Sequence, residues 1–350
     1  MKYGFDLKQL MLLAKRSRLL NILRWSNKSP VLASLIIVLT NRCNYKCHMC
    51  PLGRDIDQRT KDEILDMDIG IAKKLIDEIS EFRIFKPRAH FSGGGEPLLY
   101  REFVELASYC REKKVNWSMT TNGYTLNKFY KQIVDDNCRN LNISIHGYSD
   151  VHDNVVRVKG SFDKVVSNLN LLDEYKRAKN TILPRIALNC VINKRNVEYL
   201  YDILNTFKDL PLHSITFQHL IFTPNDLEDT EEGIPENKEV EVVRRFIEHA
   251  ENNQFGMPIL FFPSIKTKDL FHYYNDFDYP FKRTCTVPWL ALRVQPEGGL
   301  TTCNGLELGN IRTEKLKRIW NGHKNNEFRK KLRKSGISRN CNRCCHRNYY

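Results

Sequence analysis

The sequence has no run of 18 or more apolar residues, which excludes a helix able to span a bilayer. Charges interrupt the apolar stretch near its start, so the profile of a secretory signal is missing too. There is no internal repeat and no low-complexity tract, which argues against a solenoid or a disordered linker protein. Acidic residues are in deficit: Asp+Glu number 41 against 55 Lys+Arg, a formal net charge of +14. That balance favours an anionic partner such as phosphate, nucleic acid, acidic peptide or an acidic membrane surface; a basic solvated surface is the plain alternative. Cysteine, by contrast, is abundant. Eleven cysteines without an export signal point to metal ligation in a reducing cytoplasm rather than to disulfides.

The cysteines are not scattered. Cys43, Cys47 and Cys50 stand as C-x3-C-x2-C directly after the apolar run VLASLIIVL. Three thiolates on one loop can hold three corners of a four-iron, four-sulfur cluster and leave the fourth iron open to a small molecule. A zinc knuckle is the alternative, although zinc sites normally take four ligands in two pairs. Near the other end, Cys285 and Cys303 flank Gly298 as C-x12-G-x4-C, and Cys341 and Cys344 form C-x2-C. Four cysteines in two groups can close the coordination of a second cluster, or of a structural zinc.

Between these sites the chain alternates strands and helices, the pattern of a parallel sheet with outer helices. Strands are expected at 32–40, 88–92, 116–120, 141–145, 185–193 and 214–220. Asp68 is expected to cap a helix that sets Ile71, Leu75, Ile76, Ile79 and Phe82 on one side. The expected architecture is α/β, a partial (βα)6 TIM-like barrel with a small C-terminal iron–sulfur domain; 350 residues with 41% apolar content suffice for both. The divisions are 1–30 for an N-terminal amphipathic helix, 31–221 for the barrel, 222–284 for a linker and substrate-covering segment, and 285–350 for the extension. The basic helix at 6–25, with Asp6 as N-cap, could dock on its own domain or touch a membrane surface peripherally.

The cysteine loop, the segment SGGGEPLL and the two C-terminal cysteine groups resemble the radical S-adenosylmethionine (radical SAM) superfamily with a SPASM/twitch extension. The extension is most like the short twitch form of a butirosin-pathway cyclitol dehydrogenase. The resemblance implies a 4Fe–4S cluster on Cys43, Cys47 and Cys50 that binds S-adenosylmethionine, and an auxiliary 4Fe–4S cluster on Cys285, Cys303, Cys341 and Cys344. It places Gly93, Gly94, Gly95 and Glu96 at the amino group of the methionine moiety and Met49 beside the third cluster ligand. Ser144 matches a ribose contact, Asn189 and Val191 lie near ribose and adenine, and Arg157 could meet the carboxylate.

The implied reaction is reductive cleavage of S-adenosylmethionine to a deoxyadenosyl radical that removes a substrate hydrogen, with the auxiliary cluster accepting an electron. A flavodoxin- or ferredoxin-type donor would feed it. The leading expectation is dehydrogenation or related redox chemistry on a sugar, cyclitol or other small polyol. The alternative is crosslinking or epimerisation of a ribosomally made peptide, where Cys345 or Cys190 could return a hydrogen atom. A zinc-dependent nucleic-acid-binding protein is the reading from another class. Cys110 sits at helical spacing with Phe103 and Ala107 and reads as core, and Cys138 carries no signal.

Overall fold

The computed structural model describes residues 26–55, 64–82, 86–208, 210–220, 236–253, 255–276, 279, 283–302, 306–336, 341, 344 and 348–349. The helix expected at 6–25 and almost all of the acidic loop expected at 222–237 lie outside the described residues.

Twelve strands are described, ten of them in one sheet. They are β1 (Ser34–Ile37), β2 (Arg88–Phe91), β3 (Trp117–Thr121), β4 (Asn140–Ser144), β5 (Arg185–Ile192), β6 (Ser214–His219), β7 (Ile259–Phe262), β8 (Arg283–Thr284), β9 (Ala291–Val294), β10 (Gly299–Thr301), β11 (Glu307–Asn310) and β12 (Asn348–Tyr349). The order across the large sheet is β11-β10-β9-β1-β2-β3-β4-β5-β6-β7. Strands β1 to β7 run parallel through crossover helices, so the partial barrel expected from the sequence is present.

Two features exceed the six expected strands. β7 follows the helix Asn237–Asn252 and pairs parallel with β6. Its four apolar residues lie between Pro258 and Pro263, which hid it, because proline is confined to strand ends and edges. β7 is indeed the edge. At the opposite end β9, from the C-terminal extension, pairs parallel with β1. Its hairpin to β10 turns at Gly298, whose φ of 93° suits glycine.

The helix-facing side of the sheet is the core. Phe91, Trp117 and Phe103 pack there in tilted and edge-to-face contacts, and Phe246 meets Phe217 and Phe261 edge to face. The helix Ile69–Ser80 forms as its capping residue predicts, with Asp68 accepting from the Ile71 N–H at 3.1 Å and Leu75, Ile76 and Ile79 buried.

Arg329, on the helix His323–Ser335, ties the extension to the segment before β1. It is fully buried, donates to the carbonyls of Pro288 and Asn27 and to Asn321, and lies 4.2 Å over the Trp320 ring. Replacing Arg329 with Ala strands those buried acceptors and is expected to cost ~2–4 kcal/mol, measured as a fall in Tm and in the denaturant midpoint.

Candidate cofactor and cluster site

The cysteine loop leaves the C-terminal end of β1 and is clamped at its root. Thr40 donates to Asp66 at 2.6 Å, and Arg42 forms an ion pair with the same carboxylate. Cys50 closes a turn by donating its N–H to the Cys47 carbonyl at 3.1 Å, just before the short helix Pro51–Asp55. The Lys46 and His48 N–H groups donate to the carbonyls of Val156 and Val155. Both anchors lie at the end of the helix Asp150–Val156.

The three thiols sit half-buried and near enough for their charges to repel one another. Burial pushes the Cys43 thiol up to about 11, with Glu96 and Cys50 adding to the rise. Burial, then Cys50 and Cys43, pushes Cys47 up further. Bound iron would reverse that logic by stabilising the thiolates. Among the described residues no three His, Cys, Asp or Glu side chains converge on one ion. A cluster would ask each of the three thiolates to bond a different iron, where a single zinc would ask all of its ligands to meet at one ion. The Tyr45 N–H also points at the Cys43 sulfur at 3.5 Å, the kind of hydrogen bond that tunes a cluster.

The glycine loop lies directly on this loop. Gly95 donates its N–H to the Thr40 carbonyl at 2.8 Å, and Glu96 to the Arg42 carbonyl at 2.7 Å. A Cβ at Gly95 would fall 2.0 Å from the Arg42 carbonyl oxygen, so no larger residue fits. At Gly94, φ is 78° and a Cβ would strike Val38 at 2.6 Å.

Glu96, expected at the amino group of the methionine moiety, is also bonded within the protein. Its buried carboxylate accepts from Thr121 Oγ1 at 2.6 Å, the Asn122 N–H at 2.7 Å and the Leu98 N–H at 3.1 Å. Asn122 in turn donates through Nδ2 to Asn44 of the cysteine loop at 2.7 Å. Glu96 therefore cross-links the glycine loop to the Thr121–Asn122–Gly123 turn, and that turn to the cysteine loop. Burial raises its carboxyl, while the three donors oppose the rise.

Ser144 and Asn189 are register partners on β4 and β5. Asn189 Oδ1 is buried and lacks a hydrogen-bond partner among the described residues, so it can accept from a ribose hydroxyl or an adenine amine. Val191 lies on the same face as Asn189 by strand alternation. Cys190 lies on the other face, buried with Leu188 and Ile192 and contacted by Asn196 Nδ2 at 3.6 Å. That burial behind the sheet removes Cys190 as a donor of hydrogen to a ligand on the inner face. Met49 is half-buried in the turn before Cys50, and Arg157 is exposed at the left-handed end of the helix Asp150–Val156. Cys110 and Cys138 are core residues.

A buried polar chain that sequence reasoning missed supports the cysteine loop from behind. Tyr45 pairs with Ser161, and His152 Nε2 meets the same Ser161 hydroxyl at 3.2 Å. His152 Nδ1 accepts from the His146 N–H at 3.0 Å, and His146 Nδ1 accepts from the Val191 N–H at 3.2 Å. Tyr45, between Cys43 and Cys47, was the available signal. Burial lowers His152 to about 4 and His146 to about 3, from an ordinary 6.5. Both stay neutral in the folded chain while the unfolded chain takes up protons below 6.5, so their contribution is present above that pH and lost on acidification towards 4. Stability is expected to fall by about 1.4 kcal/mol per pH unit per histidine in that window. A Tm series from pH 7 downward should show a shallower slope for His152→Gln than for wild type.

In the extension, Cys285 packs against Val287 and Ala291, and the Cys344 N–H donates to the Cys341 carbonyl at 3.3 Å. β8 pairs antiparallel with β12, setting Thr284 opposite Asn348. This brings the chain entering Cys285 beside the chain that follows Cys344. Cys303 and Cys345 lie outside the described residues.

A family model for the radical SAM superfamily matches residues 37–207, and one for the SPASM iron–sulfur cluster-binding domain matches 285–345. The chain belongs to the radical SAM superfamily. It is 29% identical over 224 residues to Fe-coproporphyrin III synthase of Methanosarcina barkeri, covering 63% of this chain and 50% of that protein. It spans about half the length of the curated relatives it matches. Among solved structures, SuiB of Streptococcus suis bound to S-adenosylmethionine superposes with a TM-score of 0.63 at 14% identity, covering 92% of this chain and 73% of that one. The structure of native anSMEcpe with bound AdoMet and Cp18Cys peptide gives 0.63 at 18% identity, covering 85% and 82%. As a radical SAM protein with a SPASM domain, the chain takes a SAM-binding 4Fe–4S cluster and an auxiliary iron–sulfur cluster. No helix among the described residues is long and apolar enough to cross a membrane.

Proposed function

We propose that this chain is a radical SAM oxidoreductase that removes hydrogen from a sugar, cyclitol or other small polyol. The inner face of the sheet carries the reading. In parallel barrels that face is usually filled with Val, Ile and Leu. Here strand register sets Ile36 beside His90, His90 beside Ser118, Thr120 beside Asn142 and Asn189 beside Thr216, with Gln218 further along β6. His90 bridges Ser118 at 2.8 Å and Thr120 at 3.1 Å, so the face is an ordered array of donors and acceptors suited to hydroxyl groups. Gln218 and Asn189 are not fully covered, which leaves them accessible to a bound molecule.

When bound, the first cluster and S-adenosylmethionine supply the radical that abstracts the substrate hydrogen. The chain's own residues hold and orient. Glu96 fixes the glycine loop, Ser144 and Asn189 line the nucleoside end, and Cys285, Cys303, Cys341 and Cys344 would ligate the auxiliary cluster. Four thiolates leave that cluster no open position, which suits taking an electron from the substrate in a net two-electron oxidation. The same reading divides the chain into a barrel over 31–221, a covering segment over 222–284 and an auxiliary domain over 285–350. It sets the protein in the cytoplasm with a flavodoxin- or ferredoxin-type donor, in keeping with its many cysteines.

The test is anaerobic turnover of reconstituted protein with reductant, S-adenosylmethionine and a panel of polyols, reading deoxyadenosine and a product two hydrogens lighter. Cys285→Ala and Cys341→Ala are expected to keep deoxyadenosine formation and lose the oxidised product. Undiminished product would end the electron-acceptor role. Peptide modification is the second reading, favoured by the neighbour anSMEcpe carrying a peptide beside its AdoMet. Substrate-dependent deoxyadenosine with peptides and none with polyols would select it.

A further inference from the structure

Arg293 is the one β9 residue that is not fully buried, and it sits opposite Ile36 of β1 on the inner face. Its side chain runs to the glycine loop. A Cβ built on Gly93 would meet Arg293 Nη2 at 2.6 Å, Cζ at 3.1 Å and Nε at 3.6 Å, so the guanidinium lies against the bare backbone there. Nε is buried without a hydrogen-bond partner, and no carboxylate forms an ion pair with Arg293 among the described residues. The acid closest in sequence to this loop, Glu96, is already occupied by Thr121, Asn122 and Leu98.

A guanidinium stays charged throughout the physiological range, so burying one without a counter-charge is costly. An arginine fork also matches the paired oxygens of a carboxylate or phosphate. Packing of the aliphatic stem alone would leave the head in water. Here the head is turned inward, against the Gly93 backbone.

We propose that Arg293 is a specificity-determining residue that binds the anionic oxygens, carboxylate or phosphate, of a ligand held on the inner face. It deepens the polyol reading, on which it rests for the substrate's class, by making that polyol a sugar phosphate or a sugar acid. The other source of the same chemistry is the carboxylate of S-adenosylmethionine. In either case the extension supplies one contact to the ligand, because β9 lies beyond the family-matched barrel.

The experiment uses reconstituted full-length protein without reductant, so it does not depend on turnover. Binding of inorganic phosphate and of S-adenosylmethionine is measured by calorimetry for wild type, Arg293→Lys and Arg293→Met, with Tm as the folding control. Phosphate binding that persists at saturating S-adenosylmethionine and falls ~10–100-fold in Arg293→Met, with partial retention in Arg293→Lys, assigns the site to the substrate. A comparable loss of S-adenosylmethionine affinity, with phosphate displaced by S-adenosylmethionine, assigns it to the methionine carboxylate. Equal affinities for both ligands in wild type and Arg293→Met, at unchanged Tm, overturn the proposal. If polyol oxidation fails while phosphate binding still depends on Arg293, the reaction assignment falls and the anion site stands.

Discussion

Replacing Cys43, Cys47 or Cys50 singly with Ala should lower deoxyadenosine formation by on the order of 10³-fold or more, to the level of cluster-free protein. Each thiolate would bond its own iron, and no fourth thiol stands in the same loop to substitute. Cys110 and Cys138 provide the contrast. Both are buried in the core, so Ala at either is expected to cost ~1 kcal/mol of stability and leave the chemistry intact. Equal losses at Cys47 and Cys138 would mean that the measured effect is one of folding and that the loop has no special part.

The second large effect is expected at Glu96. Ala at this position leaves the N–H groups of Asn122 and Leu98 without their buried acceptor, a loss of ~2–4 kcal/mol. It also releases the glycine loop from the turn that contacts the cysteine loop through Asn44. S-adenosylmethionine affinity is expected to fall ~10–100-fold, the usual scale for a residue that holds others in place. Gln is the diagnostic substitution, since it keeps the volume but turns one amide nitrogen towards a donor. If binding were unchanged in Glu96→Gln and lost only in Ala, the one acceptor oxygen shared by Thr121 and Leu98 would suffice and the carboxylate's charge would have no part.

The parts of the site that were legible are those whose chemistry demands short spacing along the chain. Three candidate cluster thiolates and three consecutive glycines appear as contiguous strings, and the Asp68 cap and its apolar stripe are equally local. What was hidden depends on residues far apart. Glu96 could be placed in the loop, but whether its carboxylate faced ligand or protein depended on Thr121 and Asn122, some 25 residues away. Cys190 could not be assigned a face, because alternation has no sign until one residue of the strand is anchored. β7 was masked by its flanking prolines, and the joining of β9 to β1 is a pairing over more than 250 residues. Arg293 carried no local signal; its importance comes from lying against Gly93, whose missing side chain makes the space.

Iron, sulfide and zinc per chain, measured on one anaerobically reconstituted sample, test the two-cluster account most directly. It predicts about eight irons with matching sulfide and no stoichiometric zinc. Zinc without iron would contradict it outright, and about four irons with one zinc would keep the barrel cluster while making the C-terminal cysteines a structural site.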